Sequence, residues 1–579
     1  MKLRTSFFNG TLYRKNLTRF SPVWAIYSII LFLYFSVVMG MSTHYTRCLN
    51  GADMAICMTV VNLIYAGVLG LTLFGDLFNP RHCNMLHAFP LRRETIFFTN
   101  LASAFTFSLV PNLLIALISL PFMGSGWLVS VGWFLAGFLT FLFYLGCALL
   151  AVMLSGNRLG FLAVYALLNF LSLLFLWFGK TIFMPLLFGI RVPQEPFILF
   201  CPTYHILYQG SLVDVTLEGI NTMGEYIHFA TSDSDFTVTF GAGWGYVAIC
   251  AGIGVALTAL ALVLYRKRKL ETAGDFIAVK VIEPIFLVLF TLAVGGFFQL
   301  YSEMFGYDSQ YIFLTVGIIV GFFGCLMLLQ KTTRVFTLRA FRNFGIFAAS
   351  LAALLLVTKL DPLGLTRKIP DSKDIAYVYV GQTYASADYM WDEIKLTDSE
   401  DIQTIQDIHQ HAINDKNRHV FGNDDPVYYL DIGIDYTLNN GKILSRYYSI
   451  PIGTPAADNL KTFFSRIECV AHMSEEEFLG IADDTYMIYV DTVHSKVNGN
   501  LDITGLLEAI LADCKTGAMV QYGEYHYYED EFGNSGLNEN SYLEIDYIND
   551  FGHEVGLFLT IYDDCVNTID WLQANNMIP

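Results

Sequence analysis

Charged residues are scarce in this 579-residue sequence: Asp, Glu, Lys and Arg make up only 15% of it, whereas hydrophobic residues make up 54%. Soluble domains usually carry about 25% charged residues, so the composition argues against an ordinary soluble enzyme. A disordered chain is excluded as well, because 15% aromatic residues supply more apolar surface than such a chain contains.

The sequence also lacks the common catalytic and metal-binding motifs. It contains no GxxxxGK[ST], HExxH or GxSxG, and its 10 cysteines include no CxxC or Cys/His metal spacing. Cys48 and Cys57 could face the same side of a membrane, which leaves a disulfide between them open. His409 and His411 lie two residues apart on a predicted helix and therefore point in different directions. We expect no catalytic, cofactor-binding or metal-binding residue, and hence no enzyme.

The charge is divided unevenly along the chain. Residues 1–359 carry a net charge of +8, whereas the remainder carries -26. This split indicates two bodies in two environments, joined near residue 360. It excludes a uniformly basic nucleic-acid binder, so we expect no nucleic-acid partner.

Apolar runs in the first part are long enough to be membrane helices. The predicted spans, nine in all, lie at residues 22–41, 55–75, 99–123, 130–154, 159–178, 243–265, 284–301, 310–330 and 343–358. With the N-terminus in the cytoplasm, the cytoplasmic segments hold 18 Lys and Arg residues and the outer segments hold four. This bias predicts that orientation, and an odd number of spans then places the acidic C-terminal part outside the cell.

Two of the cytoplasmic segments contain more apolar residues than a solvated loop requires. Residues 1–20 mix aromatic and aliphatic residues with five cations, which predicts an amphipathic helix lying on membrane lipid, the alternative being a floppy basic leader. Residues 76–98 predict a short surface helix, a break and a new helix start, and this mixture suits the docking of a partner. The residues proposed to couple to that partner are Met85, Leu86, Phe89, Pro90, Leu91, Arg92 and Arg93.

Polar residues within or beside the spans are the candidates for a substrate path. Lys180 lies near the outer end of the fifth span, where it either reaches the outer headgroups or lines a pathway. The stretch 197–208 is too short to cross a membrane and too apolar for a loop, so we expect it to re-enter the outer leaflet. Hydrogen bonding between helices is expected for Asn62, Asn100, Asn112 and Asn169, of which Asn112 and Asn169 join Lys180 as pathway candidates.

The acidic part, residues 361–579, predicts a folded α+β domain that contains an internal repeat. The sequence Ile-Asp-Tyr occurs at residues 434–436 and again 111 residues later, and Asp-Ile recurs at an offset of 101. Both halves predict the order strand, helix, strand, turn, strand, helix. We therefore expect a duplicated β-α-β-β-α unit covering about 375–467 and 485–577.

Several segments resemble a known family. FFNGTLYRKNLTRFSPVW (7–24), NMLHAFPLRRETIFFTN (84–100) and LYRKRKLETAGDFIAVKVIEPIF (264–286) look like the type-2 ABC transporter permeases of Gram-positive bacteria. IDYTLNNGKILSRYYSIP (434–451) resembles a signature of the extracytoplasmic domain, of unknown function, that one subgroup carries at its C-terminus.

The resemblance implies a division of the chain and a set of partners. The implied parts are a cytoplasmic interface helix at 1–20, a six-span core at 21–265, three added spans at 266–360 and an extracytoplasmic domain at 361–579. A coupling helix then falls in 76–98, and half-membrane helices fall in 179–212. The implied partners are a dimer of separate ATPase subunits, which bind the ATP, and a second permease copy.

The function that follows is a permease subunit in the bacterial plasma membrane. It would couple ATP hydrolysis by the partner to the export or removal of an amphiphilic peptide, antibiotic or lipid. The alternative is a membrane sensor or regulatory subunit whose outer domain binds a ligand and signals inward. A membrane enzyme is the third and weakest interpretation, because no catalytic constellation accompanies it.

Overall fold

The computed structural model divides the chain into two compact units. The first comprises Met1–Gly179 and Pro193–Ala352, and the second comprises Lys180–Val192 and Ala353–Pro579. The structure describes residues 7–41, 44–183, 186–190, 195–209, 212–217, 236–304, 310–382, 391–414, 429–451, 454–471, 473–490, 493–496, 503–520, 527–529, 535–537, 540–548, 554–575 and 577–578.

The first unit is built from long apolar helices. Its elements are α1 (Gly10–Arg19), α2 (Ser21–Met39), α3 (His44–Leu73), α4 (Pro80–Ala88), α5 (Arg93–Met123), α6 (Trp127–Leu154), α7 (Arg158–Phe178), α8 (Glu195–Leu199), α9 (Pro202–Gln209), β1 (Val213–Leu217), β2 (Phe236–Phe240), α10 (Trp244–Lys267), α11 (Glu283–Met304), α12 (Gln310–Gln330) and α13 (Leu338–Leu360). Pro111 and Pro121 both lie inside α5 without ending it, as expected for a helix whose neighbours supply hydrogen bonds.

Eight helical stretches within the described residues are long and apolar enough to cross a membrane. The prediction of a multi-pass helical membrane protein is confirmed to this extent. One stretch, Arg93–Leu154, has 62 residues and contains both α5 and α6. The two helices are separated by a turn at Gly124, whose φ of +47° is favourable only for glycine. They pack against each other in antiparallel fashion, since the Ser119 hydroxyl donates to that of Ser130 at 2.7 Å.

Four connections lie together at one end of this unit, which we call the basic end. Arg268, after α10, donates to the carbonyl oxygen of Leu77, before α4. Lys331, after α12, forms an ion pair of 2.6 Å with Asp275 in the α10–α11 connection. Ser155, after α6, forms an isolated β-bridge with a residue of the α10–α11 connection. These are connections that the charge bias assigns to one side of the membrane.

The centre of the unit is α6, which packs tightly against α10. A Cβ added to Gly254 would lie 2.3 Å from the carbonyl oxygen of Leu142, and one added to Gly146 would lie 2.3 Å from that of Gly254. Backbones therefore touch at this crossing, as is typical of small residues between membrane helices. Gly317 of α12 makes a similar close approach, because a Cβ there would lie 2.9 Å from the Cα of Gly295 in α11.

The buried asparagines mostly bond between helices, as predicted. Asn62 of α3 donates to the Gly137 carbonyl and to the Thr140 hydroxyl of α6, both at 2.8 Å. Asn112 of α5 donates to the Tyr27 hydroxyl of α2 at 2.7 Å. The prediction is wrong for Asn169, whose amide donates to the Tyr165 carbonyl within its own helix, because a donor that finds its own preceding turn needs no partner helix.

The second unit contains two four-stranded antiparallel sheets, each with helices on one face. Its elements are β3 (Ile375–Gln382), β4 (Trp391–Leu396), α14 (Ser399–Asn414), β5 (Tyr429–Leu438), β6 (Ile443–Pro451), α15 (Pro455–Phe464), α16 (Ile467–Val470), α17 (Glu475–Gly480), β7 (Thr485–Val490), β8 (Val493–Lys496), α18 (Ile503–Thr516), β9 (Tyr527–Glu529), β10 (Ser535–Leu537), β11 (Asn540–Ile548), β12 (Glu554–Tyr562) and α19 (Val566–Ala574). The strand orders are β4-β3-β5-β6 and β12-β11-β7-β8, and β9 pairs with β10.

The predicted element order of this unit is incomplete. The first half has the order β-β-α-β-β-α, and the second half has the same order with the short hairpin β9–β10 inserted before β11. The prediction therefore missed this hairpin and, in each half, the second strand, β4 and β8. Both are sheet edges, and their sequences, WDEIKL and VHSK, lack the apolar alternation that identifies a half-buried strand. Asp502 and residues 550–552, part of the predicted repeat, lie outside the described residues.

The second unit also includes a short segment from the α7–α8 connection. Phe188 packs against the first-sheet core, with its ring 5.4 Å from that of Tyr448. The Gly189 carbonyl accepts a hydrogen bond from the Tyr447 amide of β6, an edge strand.

All 10 cysteines are free thiols, so the possible Cys48–Cys57 disulfide is absent.

Candidate functional site

A groove between α1 and α4 at the basic end lies between the helix that was predicted to rest on membrane lipid and the segment that was predicted to dock a partner. Its cavity measures 340 Å³. Leu12 and Lys15 line it from α1, and Met85, Leu86 and Phe89 line it from the α4 side. The expected interface helix and the expected coupling segment therefore form one surface.

Local sequence fixes α4 and the turn that follows it. The Asn79 side chain accepts from the Arg81 amide, and Pro80 occupies the first turn, so the helix start is capped in a common way. The helix ends at Ala88, where Phe89 turns to an extended conformation, as expected for a residue that precedes proline. The predicted surface helix and the break at Pro90 are both observed.

The apolar residues of this segment differ in exposure. Met85 is 60% exposed and Phe89 is 54% exposed, whereas Leu86 and Leu91 are half-buried. Two large apolar side chains therefore face outward at a water-facing or headgroup-facing end of the unit. Such exposure is typical of a surface that a partner covers.

Helix α1 is fastened to α5 by a line of polar contacts. The Asn16 amide donates to the Asn100 side chain at 2.9 Å and to the Ser103 hydroxyl at 3.1 Å, all of them buried. Further along α1, the Tyr13 and Thr106 hydroxyls share a hydrogen bond of 2.8 Å. Buried polar pairs of this kind fix a single register, so α1 is a rigid wall of the groove.

Asp76 links α1 to α4 across the groove. Its carboxylate lies 3.7 Å from the Arg19 guanidinium of α1 and 3.5 Å from His82 of α4. Arg19 and His82 are half or more exposed, so these ion pairs contribute little stability, but they set the spacing of the two walls.

His87 attaches α4 to the end of α10. One ring nitrogen lies 3.2 Å from the Tyr265 hydroxyl, and the other lies 2.8 Å from the Cys83 carbonyl. Burial lowers the pKa of His87 below its ordinary value, so the ring stays neutral near pH 7. A neutral imidazole can donate to the carbonyl and accept from the hydroxyl at once.

Arg93, one of the predicted coupling residues, bonds within its own chain. Its Nη1 lies 3.0, 3.0 and 2.8 Å from the carbonyl oxygens of Tyr265, Arg266 and Arg268. Arg93 therefore caps the C-terminal end of α10, where carbonyl groups have no partner within the helix. Arg92 is exposed and remains available to a partner.

The cations after α10 also form internal contacts. Arg266 pairs with Glu94 of α5 at 3.1 Å. Arg268 donates to the Val152 carbonyl of α6 at 2.7 Å, and burial lowers the pKa of its guanidinium. Carbonyl and carboxylate groups of the protein therefore hold both of these cations. The groove is thus connected through α4, Arg93 and Arg268 to α5, α6 and α10.

The three pathway candidates do not form one site. Asn112 belongs to the buried cluster with Tyr27, whereas Asn169 bonds within α7. Lys180 is half-buried in a π-helical turn, Gly179–Phe183, and clusters with the second unit. The predicted re-entrant stretch forms the short helices α8 and α9, with Thr203 of α9 bonded to Tyr144 of α6.

Sequence reasoning missed several residues that build this site. Asn9, the N-cap of α1, and Tyr13 and Asn16 within it all contact α5, and their i, i+4, i+7 spacing was the available signal. His87 and Tyr265 lie 178 residues apart, and no local pattern predicts their pairing.

The chain was compared with protein-family models, curated proteins and solved structures. No family model, no curated protein and no solved structure matches it.

Proposed function

We propose that this chain is the membrane permease subunit of an ABC transporter, and that a separate ATPase subunit docks in the groove between α1 and α4. The observation that carries the proposal is the linkage of this groove to three membrane helices. Arg93 caps α10 from the start of α5, and Arg268 bonds to α6. A displacement of α4 by the ATPase would therefore also displace α5, α6 and α10.

The direction of the chain in the membrane is part of the proposal. We infer nine crossings, because α5 and α6 turn back on each other at Gly124 and count as two. The 18-to-4 distribution of Lys and Arg supports a cytoplasmic basic end and an extracytoplasmic C-terminal unit in a bacterial plasma membrane. ATP would be bound by a dimer of ATPase subunits and a second permease copy would complete the transporter, with no cofactor held by this chain.

We infer that the C-terminal unit arose by internal duplication. Ile434 pairs with Arg446 in the first sheet, and Ile545 pairs with Leu557 in the second, so both strands keep the offset of 111 residues. The strand orders also match when β3, β4, β5 and β6 are set on β7, β8, β11 and β12. The proposed substrate is an amphiphilic peptide, antibiotic or lipid.

Affinity purification of the full-length chain in a mild detergent tests the proposal. The expected result is an ATPase that co-purifies in a defined ratio. Leu86→Ala with Phe89→Ala should lower its recovery, because truncating an interface anchor typically costs about 2 kcal/mol or more.

A matched pair controls for the loss of apolar surface. Leu338 and Phe341 have the same Leu-x-x-Phe spacing and are 89% and 52% exposed at the start of α13. Leu338→Ala with Phe341→Ala should leave ATPase recovery unchanged. Equal recovery with all three proteins would move the docking site away from the groove, and no ATPase with the wild-type chain would contradict the permease assignment.

A further inference from the structure

The second sheet of the C-terminal unit carries a cavity on the face opposite its helices. The cavity measures 430 Å³, and Tyr489, Tyr542, Glu544 and Phe558 line it. Tyr542 is 64% exposed and Phe558 is 70% exposed. Large aromatic side chains so open to solvent are unusual on a sheet face unless they bind something.

The strand register places a carboxylate among the three aromatic rings. Glu544 of β11 lies directly opposite Phe558 of β12 on one side and opposite Tyr489 of β7 on the other. Tyr542 precedes Glu544 by two residues and therefore projects from the same face. Residues opposite each other in a sheet have Cβ atoms about 5 Å apart, so all three rings lie within reach of one ligand at Glu544.

A second carboxylate stands beside the first. Asp546 follows on the same strand and pairs with Gly556, where an added Cβ would lie 3.1 Å from Glu544 Oε1 and 3.2 Å from Asp546 Oδ1. Both carboxylates therefore lie close against the glycine, where a larger residue would crowd them. Burial and the neighbouring Asp546 charge raise the pKa of Glu544, and a cation bound beside the two carboxylates would offset their repulsion.

We propose that this cavity binds an organic ammonium group, as carried by a cationic amphiphile. The aromatic faces attract a cation through their quadrupoles, and Glu544 supplies the opposite charge. A metal ion fits less well, because Ca²⁺ and Mg²⁺ need six or more oxygen ligands and three walls of the cavity are rings. The inference concerns the second unit alone, goes beyond the proposed transport function and does not depend on the ATPase docking.

The first sheet shows that the fold does not require this cavity. The residue 111 positions before Glu544 is Gly433, so the corresponding place has no carboxylate. On the same face of that sheet, the ammonium of Lys395 lies 4.4 Å from the centre of the Tyr377 ring. The first sheet thus uses a lysine of its own for the contact that the second sheet offers to a ligand.

Calorimetric titration of the full-length protein in nanodiscs of phosphatidylglycerol, which has no ammonium headgroup, tests the proposal. The probes are choline, a quaternary ammonium; n-butylammonium, a primary ammonium; and 3,3-dimethyl-1-butanol, a neutral analogue of choline. We expect saturable binding of an ammonium and about tenfold weaker binding of the neutral analogue. Preference for choline would indicate a quaternary headgroup, and preference for n-butylammonium would indicate a lysine-type amine.

Three substitutions locate the binding. Glu544→Gln should weaken ammonium binding about tenfold, and Phe558→Ala about threefold, since one charge and one ring are removed. Asp435→Asn, at the first-sheet position that corresponds to Asp546, should leave binding unchanged. Equal binding of the neutral analogue, unchanged affinity in Glu544→Gln, or no saturable binding at millimolar ammonium would overturn the proposal.

Discussion

Replacing Arg93 should loosen the end of α10 without removing the docking surface. Its Nη1 lies within 3.0 Å of three carbonyl oxygens but carries only two hydrogen atoms. One of these hydrogen atoms is therefore shared between two oxygens, and the group makes the equivalent of two full hydrogen bonds. Hydrogen bonds from a charged donor contribute about 1.5–3 kcal/mol each. Arg93 is only half-buried, so water replaces part of the lost hydrogen bonding. We therefore expect Arg93→Ala to lower the local stability of the α10 end by about 2 kcal/mol.

Hydrogen exchange measured by mass spectrometry reports this loss directly. The amides of residues 264–268, at the end of α10, should exchange about thirtyfold faster than in the wild type. This factor corresponds to about 2 kcal/mol of local opening free energy. Arg92→Ala is the matched control, since Arg92 is the adjacent arginine and is exposed. It should change protection by less than about twofold, as is usual for surface positions.

The functional consequence separates transmission from docking. Arg93→Ala should retain the ATPase, because the groove residues are unchanged, but substrate-dependent stimulation of ATP hydrolysis should fall. Equal exchange in the two arginine variants, or a loss of ATPase binding in Arg93→Ala with protection unchanged, would refute the assignment of Arg93 as a cap of α10.

Three further outcomes follow from buried or close-packed residues and from the charge bias. Burial, with a smaller effect of Arg446, lowers the pKa of His409 to about 3, so only the unfolded chain binds this proton between that value and 6.5. The C-terminal unit should therefore be most stable above pH 6.5 and lose about 2 kcal/mol at pH 5, a slope that thermal melts should show in the wild type and not in His409→Gln. Gly254→Ala should abolish monodisperse protein on gel filtration, whereas Gly252→Ala, where an added Cβ meets nothing within 4 Å, should not. An impermeant maleimide should label a cysteine at residue 536 in intact cells, and labelling only after permeabilisation would reverse the orientation.

The apolar helices and their connections were predictable because each signal is local. Runs of apolar residues predicted the long helices, and Pro90 predicted the break that follows α4. The bonds from Arg93 to the end of α10 could not be predicted, because their carbonyl acceptors lie more than 170 residues away. Local sequence shows that a cation is present but not which helix end it reaches.

The C-terminal unit shows the same limit. The central strands were predicted from their β-branched and aromatic residues, whereas the edge strands β4 and β8 were missed because their sequences lack an apolar alternation. His409 was expected only to point away from His411. Its two ring nitrogens in fact bond to the Tyr436 and Tyr448 hydroxyls at 3.0 and 2.8 Å, a pairing that depends on the fold of three separate elements.

Photo-crosslinking from position 85 tests most directly whether an ATPase docks at the α1–α4 groove. Met85 is 60% exposed in the groove wall, and Leu338, 89% exposed at the start of α13, provides the control position. A photoreactive phenylalanine at position 85, in cells that express the chain in its native setting, should crosslink to an ATPase subunit with a phosphate-binding loop, and one at position 338 should not. No ATPase crosslink from position 85, or an equal yield from position 338, would contradict the account.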